Sequence, residues 1–134
     1  MPNVLVVDDN ADTRELMKAM LELEGLEVLL AVDGMDGIEQ ARRESPVLII
    51  TDIAMPRLNG IEMIEQLRAM PEFMSAPILA VTSYGIEKAM EARIAGASHA
   101  LARPIHNDLL LGFVLELLKK HGGEPRDARV LNLN

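Results

Sequence analysis

The sequence has no cysteine and no tryptophan, and its only aromatics are one Tyr and two Phe. Without cysteine there can be no disulfide and no thiolate metal site, which fits a reducing compartment. With so few rings, the core must be filled by Leu, Ile, Val, Ala and the nine Met, the last suited to irregular gaps. Basic residues are also scarce: 13 Lys and Arg stand against 21 Asp and Glu, a net charge of -8. That leaves no surplus of cations to neutralise phosphates and argues against a nucleic-acid-binding module. No apolar run approaches the roughly 20 residues of a membrane span. The apolar N-terminal run Val4–Val7 stops at Asp8 and Asp9, has no basic segment before it and is too short for a secretory signal. A cytoplasmic protein is expected, of one domain, since 134 residues make one core.

What is present is an alternation. Val4–Val7, Glu27–Val32, Val47–Ile50 running into Thr51 and Asp52, Ile78–Ser83 and Ala97–Ala102 read as strands. Between them lie helical patterns. The first carries Leu16, Met17, Met20, Leu21 and Leu23, with Asn10 or Asp12 as its cap and Gly25 at its end. The second, with Ile38 and Ala41 inward, ends near Glu44. The third runs from about Gly60 to Ala69, with Ile61, Ile64 and Leu67 inward. Ile86–Ala95 is a helix of weak pattern, and Asp108 to about His121 is strongly apolar. Near-continuous apolar strands alternating with helices predict an α/β fold, a parallel sheet covered on both faces.

In such a sheet every carboxyl strand end points the same way, and open α/β sheets bind ligands there. Asp8 and Asp9 follow strand one, Asp52 strand three, Thr82 and Ser83 strand four, and Arg103 strand five. Three nearby carboxylates repel one another unless a cation lies between them, and an oxygen-rich cluster suits Mg2+. A hydroxyl and a cationic side chain close by would hold phosphoryl oxygens. The implied chemistry is a carboxylate attacking phosphorus to give an acyl phosphate. The spacing alone does not choose between Asp52 and Asp9; the central strand and its Pro- and Gly-containing loop favour Asp52 only weakly.

From about Asn3 to His121 the sequence resembles the receiver domain of two-component response regulators. The matching stretches are Val4-Leu5-Val6-Val7-Asp8-Asp9, Ile49-Ile50-Thr51-Asp52-Ile53-Ala54-Met55-Pro56 with Asn59-Gly60, Ala80-Val81-Thr82-Ser83, Gly96-Ala97 and Arg103-Pro104. The resemblance implies a flavodoxin-like, doubly wound (βα)5 fold with strand order 2-1-3-4-5. It implies that Asp52 accepts phosphoryl from a sensor histidine kinase or phosphotransfer protein. It also implies that Asp9, Asp52 and the Ala54 carbonyl bind Mg2+ (or Mn2+), with Asp8 acting through water, and that Thr82 binds the transferred group and couples it to the helix that follows. Residues 1–121 would form the receiver and 122–134 a flexible tail. A stand-alone receiver is expected, with output passing through contacts with a downstream protein, unless the chain is a piece of something longer.

Two positions depart from the family pattern. Arg103 stands where Lys is usual, keeping the charge but offering a planar fork in place of a compact ammonium. Ala100 stands where a Tyr or Phe usually reports phosphorylation, which removes any aromatic switch there. Tyr84, two residues after Thr82, is a candidate modulator of access to the acceptor. In the last helix Leu110, Phe113, Val114 and Leu117 are expected to face the sheet. Leu111, Leu115 and Leu118 would then form an exposed row, a face for a homodimer or another partner. Ala100 and Arg103 also leave room for a pseudo-receiver that binds without being phosphorylated. A hydrolase with an Asp nucleophile usually carries a second acid two residues on, where this chain has Ala54.

Overall fold

The computed structural model describes residues 3–121. Its elements are β1 (Asn3–Val7), α1 (Ala11–Glu22), β2 (Glu27–Ala31), α2 (Gly34–Glu44), β3 (Leu48–Asp52), α3 (Gly60–Arg68), a 3-10 turn (Pro71–Phe73), β4 (Ile78–Thr82), α4 (Ile86–Ala95), β5 (His99–Ala102) and α5 (Asn107–His121). The strands form one parallel sheet in the order β2-β1-β3-β4-β5. This is the flavodoxin-like arrangement that the resemblance implies. Residues 122–134, expected to form a flexible tail, lie outside the described residues.

The apolar strands are continuous because successive side chains enter two different cores. Leu5, Val7, Ile49, Ile78 and Ala80 point to the side covered by α2, α3 and α4, where they meet Ala41, Met63, Ile64, Leu67 and Ala92. Val4, Val6, Leu48, Ile50, Leu79 and Val81 point the other way, against Met17 and Leu21 of α1 and Leu110, Val114 and Leu117 of α5. The sheet is therefore buried on both faces, and only its strand ends are free to do chemistry.

Helix ends largely follow local chemistry. Asn10, not Asp12, caps α1 by accepting from the Thr13 amide at 2.9 Å. The helix closes at Leu23, and Gly25 takes a left-handed φ of 84° in the turn beyond. α3 starts at Gly60, as expected, and Asn59 before it forms a capping box with Glu62: Asn59 accepts from the Glu62 amide and Glu62 from the Asn59 amide. Met63 takes the inner position expected of Ile61, which is only half-buried. β2 stops one residue short of Val32, and β5 begins at His99, two residues later than Ala97. Among the described residues no helix is long and apolar enough to cross a membrane.

The exposed row expected on α5 needs correction. Leu111 and Leu118 pack against the α1–α5 core, leaving Leu115, 39% exposed, alone on that face. Phe113 stacks on His99 of β5, ring centroids 4.6 Å apart. A large apolar stripe does exist, but on α4, where Ile86, Met90 and Ile94 at every fourth position are 69%, 58% and 84% exposed. Its inner face is built from the small Ala89 and Ala92 instead.

Candidate functional site

β1 and β3 are hydrogen-bonded neighbours, so their carboxyl ends deliver Asp8, Asp9 and Asp52 together. One carboxylate oxygen from each lies within 4.8 Å of the others. They line a cavity of about 230 Å³ that also takes in Ala54, Ser83, Tyr84 and Arg103. Arg103 thus turns toward the acids, and the Arg103-Pro104 bond is cis. Asn10 and Thr13 at the start of α1 complete the lining, and sequence reasoning gave them no place there beyond the cap. A larger groove of about 540 Å³ runs along α2 and α3 past Met35, Ile38 and Arg42. It collects no strand end, so the reactive groups belong to the smaller cavity.

Asp8 and Asp52 are held from behind. Asp8 Oδ1 accepts from the Asn10 amide at 2.9 Å, and its carbonyl accepts from Arg14 Nη1 at 2.7 Å. Asp52 Oδ1 accepts from the Ile53 amide at 2.7 Å, and its carbonyl accepts from the Thr51 hydroxyl at 2.7 Å. That leaves Asp52 Oδ2 with no hydrogen bond among the described residues. Burial, then the neighbouring Asp8 charge, pushes the Asp52 carboxyl up to about 6, against the pull of the Ile53 amide. Burial raises Asp8 as well, with the Asn10 amide opposing it. Such mutual repulsion among oxygen-only donors is what a hard divalent cation relieves, so these residues fit Mg2+.

Thr82 sits beside the cavity and not in its lining. Its side chain is fully buried, and Oγ1 accepts from the Tyr84 amide at 3.0 Å. Ser83 lines the cavity in its place, with Tyr84, 66% exposed, beside it. Ala100 is half-buried against the α2–α4 core.

Close approach shapes the loop after Asp52. The Gly60 amide donates to the Ile53 carbonyl at 2.7 Å, and a Cβ at Gly60 would collide with the Asp52 carbonyl and Ile53 Cα. Gly60→Ala is therefore expected to cost about 1–2 kcal/mol through overpacking and to displace the strand end carrying Asp52. Urea unfolding checks the first effect; an unshifted midpoint would show that the loop yields freely.

A five-stranded 2-1-3-4-5 sheet with an acidic cavity at its carboxyl edge is a doubly wound α/β domain with its candidate site where such sheets bind ligands. Residues 4–114 match the model of the response regulator receiver domain, and the chain belongs to that family. It is 36% identical to protein PilH of Pseudomonas aeruginosa over 112 residues, 83% of this chain and 93% of PilH. It is 35% identical to the transcriptional regulatory protein PrrA of Mycobacterium tuberculosis over 121 residues, 90% of this chain but 52% of PrrA. The solved chemotaxis response regulator CheY4 of Vibrio cholerae superposes with a TM-score of 0.81 at 31% identity, covering 88% of this chain and 99% of CheY4. Receiver domains are signalling modules that generally accept phosphoryl groups, bind Mg2+ at an acidic pocket, and meet histidine kinases or phosphotransfer proteins and downstream targets.

Proposed function

We propose that this chain is a stand-alone cytoplasmic receiver, residues 1–121, whose Asp52 accepts a phosphoryl group from a phosphohistidine on a sensor kinase or phosphotransfer protein. The observation that carries this reading is the meeting of three carboxylates within 4.8 Å, with Arg103 lining the same cavity. Asp8, Asp9, Asp52 and the Ala54 carbonyl would hold Mg2+, which when bound would neutralise the acids and draw charge from the phosphoryl oxygens. Asp52 Oδ2 attacks phosphorus. The O–P bond forms as the P–N bond breaks, and the electron pair leaves on the imidazole nitrogen. Arg103, with its fixed fork, and the Thr82 hydroxyl receive phosphoryl oxygens. The Thr82 hydroxyl can donate to a phosphoryl oxygen while its Oγ1 still accepts from the Tyr84 amide, so a shift of Thr82 toward the phosphoryl group would pull on the turn leading into α4.

Output passes to a downstream protein through the α4 stripe of Ile86, Met90 and Ile94, whose exposure supports an apolar contact. Ile94→Glu is expected to weaken that contact about tenfold or more while leaving phosphorylation intact; an unchanged partner affinity would remove α4 from the output. A homodimer through the same face would show as a mass that doubles on phosphorylation.

The test is incubation with acetyl phosphate or phosphoramidate and Mg2+, read by intact mass. A gain of one phosphoryl group supports the switch. No gain by folded, metal-binding protein favours the pseudo-receiver, for which Ala100 in place of an aromatic is the supporting observation.

A further inference from the structure

We propose that Arg57 is a positioning residue for the acceptor site, clamping the loop that carries Ala54 to the start of α2 through Asp33. This rests on the reading of Asp52 as a metal-assisted phosphoryl acceptor. Arg57 takes a left-handed φ of 66°, a conformation that L side chains rarely adopt. Its guanidinium forms a two-point bond to Asp33, Nε to Oδ2 at 2.6 Å and Nη2 to Oδ1 at 3.1 Å. The pair is not an ordinary surface ion pair. The Asp33 side chain is only 7% exposed, while that of Arg57 is 61% exposed and reaches inward to it. Asp33 also caps α2, accepting from the Asp36 amide at 2.8 Å, so its position is fixed independently of Arg57.

A second bond ties the same two segments. The Gly34 amide donates to the Leu58 carbonyl at 2.9 Å, and Gly34 has no room for a Cβ over that carbonyl. The far end of the loop is closed by the Gly60 amide on the Ile53 carbonyl. Between these anchors Ala54, Pro56 and Arg57 are exposed, and only the half-buried Met55 and Leu58 pack on the core. Among the described residues, no other side chain from 53 to 58 makes a hydrogen bond outside the loop. Arg57 therefore adds, among the described residues, the one hydrogen-bond restraint from a side chain of the loop itself to a segment that begins one residue after Asp52 and is otherwise tied by those two backbone bonds. Supporting partners of this kind orient metal-binding groups they do not themselves join.

Three variants separate positioning from folding. Arg57→Gly removes the guanidinium and suits the left-handed backbone. Asp33→Asn keeps an oxygen for the Asp36 amide but loses the charged two-point bond. Arg57→Lys keeps charge without the fork. Calorimetric titration with Mg2+ at 25 °C is expected to show affinity weakened about tenfold in Arg57→Gly and Asp33→Asn, with Arg57→Lys between these and wild type. Folded variants that bind Mg2+ within about twofold of wild type would overturn the proposal, as would variants that simply unfold, or a wild-type chain that binds no Mg2+. A wild-type chain that binds Mg2+ but takes no phosphoryl group would sink the acceptor reading while the titration still decided the role of Arg57.

Discussion

Asp52→Asn is expected to take up no phosphoryl group from acetyl phosphate and Mg2+ under conditions where the proposed function has the wild-type chain gain one. The change is nearly isosteric. The amide oxygen can still accept from the Ile53 amide, as Asp52 Oδ1 does at 2.7 Å, so the strand end and its loop are kept. What goes is the anionic oxygen proposed to attack phosphorus, and an amide oxygen is a far weaker nucleophile. One carboxylate of the three that share the cation site is also lost. Intact mass before and after incubation reads the result directly. A full gain in Asp52→Asn, mapped by peptide mass to Asp9, would move the acceptor to the residue that strand spacing alone had left in contention.

The second large effect is on stability, and it changes sign with the cation. Burial and the Asp8 charge push the folded Asp52 carboxyl up to about 6 from an ordinary 3.8, so between those values the folded state holds more protons than the unfolded. Stability from this group is therefore fully present below the ordinary value and is lost as pH rises through the folded one. Taken at face value the shift is worth about 3 kcal/mol; solvent screening of a half-open carboxylate reduces this to about 1–2 kcal/mol. Without metal at pH 7.5, Asp52→Asn is then more stable than wild type by about that amount, and at pH 4 the two converge. Mg2+ reverses the order: at a hundred times its dissociation constant it stabilises the wild-type chain by about 2.7 kcal/mol, and it does little for the variant. Urea unfolding across pH, with and without Mg2+, checks both halves. A wild-type minus variant difference that stays flat from pH 4 to 7.5 would mean that Asp52 carries no such strain.

Much of this site was legible because its residues mark strand ends. A buried apolar run stops where a charged or hydroxyl residue begins, so Asp8, Asp52 and Thr82 stood out by position as well as type. The strand order was not in the periodicity and came from the resemblance alone. What stayed hidden was whatever depends on the partner of a helix face. α4 read weakly because its inward residues are the small Ala89 and Ala92 while Ile86, Met90 and Ile94 face out, the reverse of the usual amphipathic signal. α5 misled in the opposite way, since Leu111 and Leu118 tuck against the α1–α5 core. The Arg57–Asp33 bond joins residues 24 apart that each look like ordinary loop positions.

The bond between the Thr82 hydroxyl and the Tyr84 amide sets how much can be told to the rest of the molecule. With Ala100 in place of a ring, the proposed signal is one new bond donated by a hydroxyl that already accepts from the Tyr84 amide. A single such bond transmits about 0.5–1.5 kcal/mol, which multiplies the ratio of active to inactive molecules by only about two- to tenfold. On the proposed function, a receiver built this way would act as a dimmer: output with Asp52 phosphorylated would stay within about tenfold of output without it, and a full on–off contrast would have to be made by the proteins on either side.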